Sequence, residues 1–440
     1  MVATETDVHL RLDERYREKL IPASQWRGLT TFVPNKEIPV HSWFHCPQAF
    51  SGTLVSNVLE VVGAKPGQRV VDPFGGIGTT AVVAKRGGLR ALSIELLPVF
   101  CLVARVKNRD YVLSSLEESL TRLETEESQT TDLPSEIPTI LRQSFSGEVL
   151  LKIFELRGRI ERIAEPRDRE FFLVALLSIL DEISFVRKAG AHYRFVNTDN
   201  VGVRHQFAGP TIPGEPYQIF YNKARKMIGD LRQMKITPGS NHVFDPVVVM
   251  GDARRAESYV GGPFEYLVTS PPYLNRDSYV AQYKRELFLA PSPHGVTDFR
   301  EYRDLTFSSL RSHVEAKSPG EVSSSVPEDV NLLCSELSTR ELNNPGIVNM
   351  VAGYFEDMAT CLSIWAQSLT PSGLAVIVVG NVRFAGLHIP VDYLLCKTAE
   401  RLGFEVLEIA VTRYKLNSPQ QMRRYGKFPV RESVIFLRNS

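Results

Sequence analysis

The sequence is poor in cysteine, and its few cysteines form no pattern. Cys46, Cys101, Cys334, Cys361 and Cys396 are odd in number, widely scattered and never spaced as CxxC. That spacing excludes a disulfide framework and a zinc site built on paired cysteines, and it fits reduced thiols in a cytoplasm. Long apolar runs are missing too. The longest, Phe171 to Leu180, is bounded by Arg169, Glu170, Asp181 and Glu182, and it is too short to span a bilayer. The first residues (Met1, Val2, Ala3, Thr4, Glu5) show no basic segment leading into an apolar stretch, so no secretory signal is read there. Net charge is nearly absent, at +1. What is present is ordinary for a globular chain: 43% hydrophobic and 23% charged residues, enough for a sizeable core. At 440 residues we expect one large domain carrying insertions, or two domains.

The small net charge conceals an asymmetry. Between Leu113 and Glu136 stand Glu117, Glu118, Glu124, Glu126, Glu127, Asp132 and Glu136 against Arg122 alone. Between Ile183 and Lys235 the balance reverses, with Arg187, Lys188, Arg194, Arg204, Lys223, Arg225, Lys226, Arg232 and Lys235. Arg413 to Glu432 is basic as well, through Arg413, Lys415, Arg423, Arg424, Lys427 and Arg431. A polyanion would use the two basic stretches and avoid the acidic one; two solvated basic faces are the alternative.

Strand and helix patterns alternate in two regions. Gln68–Val71 reads as a strand, Thr79–Arg86 as a helix closed by Gly87 and Gly88, Ala91–Leu96 as a strand and Val99–Lys107 as a helix. The rhythm resumes with strands at Val247–Met250 and Tyr266–Thr269, a helix over Val348–Leu369, and strands at Leu374–Val379, Phe404–Val411 and Ser433–Leu437. Pro390 suits the first turn of a further helix and Gly403 its C-terminal cap. Residues 110–244 carry helical periodicity at Leu150–Ile163, Phe171–Ile183 and Tyr221–Met234 and lack strong strand signals. The pattern predicts an α/β, mostly parallel doubly wound sheet with a helical insertion. The organisation read from it is an N-terminal extension (1–36), a core from 37–109 and 245–440, and the insertion 110–244.

Two constellations carry chemistry. Asp72-Pro73-Phe74-Gly75-Gly76-Ile77-Gly78-Thr79-Thr80 follows a strand and opens a helix. Glycines there allow a sharp turn and a close ligand, and the helix start offers free N–H groups. The Asp72 carboxylate would balance a cationic ligand, and Glu95, at the end of the next strand, would accept both hydroxyls of a ribose. The second constellation is Thr269-Ser270-Pro271-Pro272-Tyr273, again after a strand. Two prolines end the ladder and hold the chain extended, presenting the Ser270 hydroxyl, a loop carbonyl and the Tyr273 ring at the mouth of the sheet.

With both motifs the chain resembles the S-adenosylmethionine-dependent DNA amino-methyltransferases, which join an Asp-Pro-Phe-x-Gly-x-Gly-Thr cofactor loop to a (Ser/Asp/Asn)-Pro-Pro-(Tyr/Phe) catalytic motif. The resemblance implies a Rossmann-like methyltransferase fold with S-adenosylmethionine as cofactor. It also implies that Phe50 and Ser51 contact the cofactor's methionine end, that Glu95 holds its ribose, and that Asp252 and Ala253 flank its adenine. It makes Ser270, Pro271, Pro272 and Tyr273 the catalytic set: the exocyclic amine of a flipped base is held by Ser270 and the Pro271 carbonyl while Tyr273 stacks on the base. No metal is required. Methylation at cytosine C5 is disfavoured, because no cysteine here follows a proline.

Ser270 before the prolines favours cytosine N4 in this family, whereas the order of the motifs, cofactor loop first, is more often met among adenine N6 enzymes. Double-stranded DNA is the expected substrate and a cognate restriction endonuclease the expected partner, in a restriction–modification or phage-defence role. The basic insertion (Arg187, Lys188, Arg194, Arg204) and the loop with Arg423 and Arg424 are the expected DNA contacts; a helical subdomain that buttresses the core is the plainer reading of the insertion. Asn275, Arg276, Asp277, Tyr279 and Tyr283 are candidates to line the base pocket, and Asn381 to support it. RNA methylation, a non-catalytic DNA-binding relic and a nicotinamide oxidoreductase are the rivals. The last fits the glycine turn but leaves TSPPY unexplained.

Overall fold

The computed structural model describes residues 5–127, 133–189, 192–195, 215–236, 244–259, 261–274, 278–290, 299–307, 326–416 and 419–440. In chain order its strands are β1 (Leu20–Pro22), β2 (Arg69–Asp72), β3 (Arg90–Glu95), β4 (Val186–Ala189), β5 (His192–Phe195), β6 (Val247–Met250), β7 (Phe264–Thr269), β8 (Leu369–Gly380), β9 (Val382–Phe384), β10 (Leu387–Ile389), β11 (Phe404–Lys415) and β12 (Val430–Asn439). Eight of them form one sheet in the order β1-β11-β12-β8-β7-β2-β3-β6. β12 runs antiparallel to both neighbours, and every other pairing is parallel.

The apolar run in β8 shows why this sheet is covered on both sides. Ala375, Ile377 and Val379 join the core under the helices Ile347–Ser368 and Val391–Arg401. Val376 and Val378, between them, join the opposite core under the helices Gly52–Val61 and Thr79–Arg86. Successive strand residues point to opposite faces, so a strand buried on both must be apolar throughout. From β2 the chain moves outward to β3 and β6; from β7 it moves the other way to β8. The strand order therefore reverses between β2 and β7, where a doubly wound sheet opens a crevice at its carboxyl edge.

The central region is helical, with Leu113–Thr125, Thr139–Ser144, Gly147–Glu161, Pro166–Ser178 and Pro216–Ile236. It packs onto the sheet's own helix Pro98–Asn108: Phe171, Phe172 and Leu156 share one apolar core with Phe100, Val106 and Tyr283. Three elements there escaped the sequence reading. One is the helix Leu113–Thr125, which buries Leu116, Leu120 and Leu123 beneath an acidic surface. The others are the short helix Thr139–Ser144 and the β4–β5 hairpin. The helix expected over Phe171–Ile183 runs Pro166–Ser178 instead; Pro166 opens it and the Glu165 carboxylate caps it through Arg167 N.

The charge asymmetry resolves largely inside the fold. Arg232 pairs with Glu117 and Arg225 with Glu124, each at 2.5 Å, so the basic helix Pro216–Ile236 lies along the acidic helix Leu113–Thr125. Two cations of the first basic stretch are therefore matched by the acidic helix. Two predicted DNA contacts are corrected. Lys188 turns inward, with Nζ 2.6 Å from Glu286 Oε1 and 3.9 Å from the Tyr283 ring centroid. Arg187 donates to the carbonyls of Asp181 and Ser184. Fully buried Arg285 completes this network between Asp181 and Glu286. Arg194 is exposed, and Arg204 lies outside the described residues.

Lys188→Ala leaves the Glu286 carboxylate, 1% exposed, short of its closest cation. We expect a loss of about 3–5 kcal/mol in urea unfolding, the usual consequence of stripping one partner from a buried pair. A change of a few tenths would return Lys188 to the surface role.

Candidate active site

The first motif forms a tight bend. Asp72 ends β2, Gly76 and Gly78 take φ of +50° and +80°, and Gly78 caps the helix Thr79–Arg86. The glycines serve different ends. A Cβ on Gly75 would stand 1.8 Å from Ser93 Oγ, and one on Gly78 would stand 2.9 Å from Ala104 Cα, so packing demands both. Of the three only Gly76 faces open space, a Cβ there meeting nothing nearer than its own loop's Phe74 carbonyl at 3.9 Å. Close approach to a ligand is therefore a reason for one glycine of the three.

Asp72 is 2% exposed, and its carboxylate is fully engaged. Oδ1 accepts from Thr269 Oγ1 at 2.6 Å and from Phe74 N at 3.1 Å; Oδ2 accepts from Thr80 Oγ1 at 2.6 Å. Burial pushes its pKa up to about 6, against these three donors. Asp72 thus ties the glycine loop to the TSPPY segment while it stays on the cleft wall. Glu95 is half-buried, with Oε2 accepting from Gly76 N at 2.9 Å and Oε1 from Leu97 N at 2.7 Å. Burial raises it to about 7. Each oxygen keeps acceptor capacity for a ligand hydroxyl.

One cleft, of about 910 Å³ counted out to its open mouth, lies between the motifs. Phe50, Asp72 through Ile77, Thr79, Glu95, Gly251, Asp252, Ala253, Ser270 and Pro272 line it, so most predicted positions meet there. Ser51 does not: its hydroxyl caps the helix Gly52–Val61 through Leu54 N. Thr80 is spent on Asp72. Asp252 caps the turn Ala253–Ser258 and pairs with Arg254 at 2.7 Å, and Arg254 also holds the Leu305 carbonyl. The buried Thr79 hydroxyl, on the cleft wall at a helix start, has no hydrogen-bond partner among the described residues. An acceptor group on a bound ligand would satisfy it, as the carboxylate of a methionine moiety does.

In the second motif, Ser270 lines the cleft and its Oγ donates to the Val378 carbonyl at 3.3 Å, so the oxygen keeps acceptor capacity for an N–H donor. Tyr273 is not among the residues that line the cleft, and its ring rests against Gly380. Tyr279 lines the cleft as expected, whereas Tyr283 is fully buried under Lys188; residues 275–277 lie outside the described set. Asn381 accepts from Asp392 N at 3.0 Å and so anchors the start of the helix Val391–Arg401. Arg423 is exposed, and Arg424 pairs with Glu341 at 2.5 Å.

Sequence reasoning missed Cys46, Gln48, Leu97, Phe100 and the segment Leu305–Phe307, all on the cleft wall. Phe307 packs edge-on against Phe74, with ring centroids 5.1 Å apart. These residues come from distant segments and carry no shared spacing; only the fold brings them together.

No protein-family model matches the chain. It is 27% identical over 461 residues to the Type II methyltransferase M.BsoBI of Geobacillus stearothermophilus, spanning 93% of this chain and 87% of that protein. It is 28% identical over 459 residues to the Type II methyltransferase M.AvaI of a Nostoc species, spanning 97% and 92%. Among solved structures, the rRNA methyltransferase aviRa of Streptomyces viridochromogenes aligns at 12% identity over 90% of this chain and 89% of that one, with a TM-score of 0.30, too loose to carry weight. The two full-length relatives bear out the family resemblance drawn from the motifs.

Thr269→Val deprives the buried Asp72 carboxylate of one donor while preserving shape. We expect it to cost about 1–3 kcal/mol in urea unfolding, and Thr269→Ser, which keeps the hydroxyl, to recover most of that. Equal stability of all three proteins would sever the link drawn between the motifs.

Proposed function

We propose that this chain is a site-specific DNA methyltransferase that moves a methyl group from S-adenosylmethionine to the N4 amine of an extrahelical cytosine. The observation that carries the reading is the 2.6 Å hydrogen bond from Thr269 to Asp72, which puts the glycine loop and TSPPY on one cleft. A nicotinamide oxidoreductase gives no reason for the second wall.

The donor supplies a methyl group made electrophilic by its sulfonium. The protein's part is to hold and orient. Glu95 takes the ribose hydroxyls on the acceptor positions that Gly76 and Leu97 leave open, Thr79 and the first turn of its helix take the carboxylate, and Phe74, Ala253 and Phe307 supply apolar walls for the adenine. Across the cleft, the amine of the target base donates to Ser270 Oγ and to the Pro271 carbonyl. Two such bonds draw the nitrogen lone pair out of conjugation with the ring and point it at the methyl group. The acceleration comes from alignment and preorganised dipoles. Tyr273 gives the base a stacking surface once it has left the duplex. Exposed Arg194 and Arg423 are available to phosphates. A cognate endonuclease is the partner that a Type II modification role implies.

The serine of TSPPY supports cytosine N4, and the cofactor-first order of the motifs supports adenine N6, so the target base is read directly. Mixed PCR-amplified genomic DNA, which carries no modification, is incubated with methyl-labelled donor and digested to nucleosides. N4-methylcytosine is the expected product by mass spectrometry; N6-methyladenine would move the target, and no labelled nucleoside would end the enzyme reading. Ser270→Ala should lower kcat about a hundredfold and leave donor affinity in place.

Donor binding should also depend on pH. Burial raises Glu95 to about 7, and only its ionised form offers both oxygens as acceptors to the ribose. The donor therefore favours the deprotonated protein: Kd tightens as pH rises toward 8, and it weakens below 7 by at most about tenfold per unit. Calorimetry at pH 6, 7 and 8 checks this, and Glu95→Gln should flatten the profile.

A further inference from the structure

The two motifs leave one buried carboxylate beside the active site without a role. Glu432, on β12, is 1% exposed and belongs to neither motif. Four donors converge on it. Oε1 accepts from the Tyr273 hydroxyl at 3.2 Å and from Lys415 Nζ; Oε2 accepts from Thr30 Oγ1 at 2.7 Å and from Arg413 Nε. The strand ladder alone accounts for Arg413, which stands opposite Glu432 on β11, and such a cross-strand pair needs no third partner. It does not account for Tyr273 and Thr30, which reach the same carboxylate from two other segments.

The placement ties Glu432 to the catalytic loop. Glu432 is the register partner of Gly380 on β8. The Tyr273 ring rests on that glycine, where an added Cβ would come within 3.2 Å of ring Cε2. Lys415 Nζ stands 5.2 Å from the ring centroid. The ring and its hydroxyl are therefore fixed at two separate points. Burial pushes the Glu432 carboxyl up, but Arg413, Lys415 and Thr30 outweigh it and hold the group below its ordinary value. Burial, and then the charge of Glu432, push the Tyr273 phenol well up. A neutral phenol facing an ionised carboxylate gives a charge-assisted hydrogen bond that runs one way, from tyrosine to glutamate.

We propose that Glu432 is a positioning residue for methyl transfer: by holding the Tyr273 hydroxyl it sets the ring in place for a planar base before the base arrives. This rests on the reading of Tyr273 as the stacking surface. A ring already fixed gives up little rotamer freedom when a base lands on it, whereas a swinging ring must be ordered at that moment.

The test is a double-mutant cycle of Tyr273→Phe, which keeps the ring and removes the hydroxyl, with Glu432→Gln. Methyl incorporation into PCR-amplified genomic DNA gives kcat/KM, and calorimetry gives donor Kd. Each single variant should lose at least tenfold in kcat/KM for DNA at unchanged donor Kd, and the double variant should lose no more than the worse single one, because both act through one bond. Should Glu432→Gln not fold, Thr30→Val, which takes one donor from the same carboxylate, replaces it in the cycle. Additive losses, or a wild-type rate in Tyr273→Phe, would overturn the positioning role while leaving the enzyme reading intact. A wild-type protein that moves no methyl group to DNA would overturn both.

Discussion

The active site depends on a buried carboxylate that is not itself free to react. Asp72 sits where the sheet's strand order reverses, and neighbouring chain segments there lead away from each other. Its three donors come from its own loop, from the following helix and from the next strand. Taking a carboxylate out of water costs several kcal/mol unless hydrogen bonds replace the lost hydration, so the arrangement holds only while Thr80, Thr269 and the Phe74 amide stay in place. The same condition fixes the two cleft walls relative to each other. In-line transfer between two bound groups is sensitive to misplacement of about an ångström, and a network anchored on two adjacent strands is a stiff way to meet that demand.

The sheet and the cleft were legible in the chain to different degrees. The helix Thr79–Arg86 was read to the residue, because glycines mark both ends, and Gly403 takes the positive φ expected after a helix. Of the sheet strands, β6 was read to the residue, β7, β8, β11 and β12 were found but shortened, and β1 was missed. β8 begins at Leu369, five residues before its apolar run, through an irregular stretch in which Ser372 has φ +63°. β11 continues to Lys415 because its far end pairs with β12 rather than entering the core. Residues whose role is to touch the ligand from the motifs were legible; residues whose hydroxyls serve the scaffold, Ser51 and Thr80, were not distinguishable from them by type. A serine before a helix reads equally well as a ligand contact or as a cap, and the hydrogen bond to Leu54 N makes this one a cap.

Charge was the least legible property. A run of basic residues predicts an electrostatic footprint only if the fold leaves it unpaired. Here the acidic helix Leu113–Thr125 lies against the basic helix Pro216–Ile236, and Arg431 is held by Asp392 at 3.0 Å. The two pairs between the helices are exposed and add little stability, yet all three pairs decide which cations a phosphate meets. The charges that composition assigned to a partner are in large part each other's partners, and the positive surface available to DNA narrows to residues such as Arg194 and Arg423.

The scaffold and the chemistry then meet along a single row. The neighbouring strands carry Glu95 on β3, Asp72 on β2, Thr269 and Ser270 at β7, Gly380 on β8 and Glu432 on β12; Asp72 bonds Thr269, Ser270 bonds the Val378 carbonyl on β8, and Gly380 pairs with Glu432. The groups at the ends of this row are ionisable and buried or half-buried, while those in the middle are hydroxyls, prolines and a glycine. Transfer breaks the donor's C–S bond, forms a C–N bond and leaves a cationic methylated amine that sheds its extra proton to solvent after the bond has formed, so the attack itself asks for no titrating base at the centre of the row. What the centre needs is acceptors of fixed direction, and a serine whose own proton is committed to the Val378 carbonyl supplies one. Carboxylates placed one strand farther out orient these neutral groups without offering the electrophilic methyl a competing nucleophile, which explains why the acids surround the reacting centre instead of occupying it.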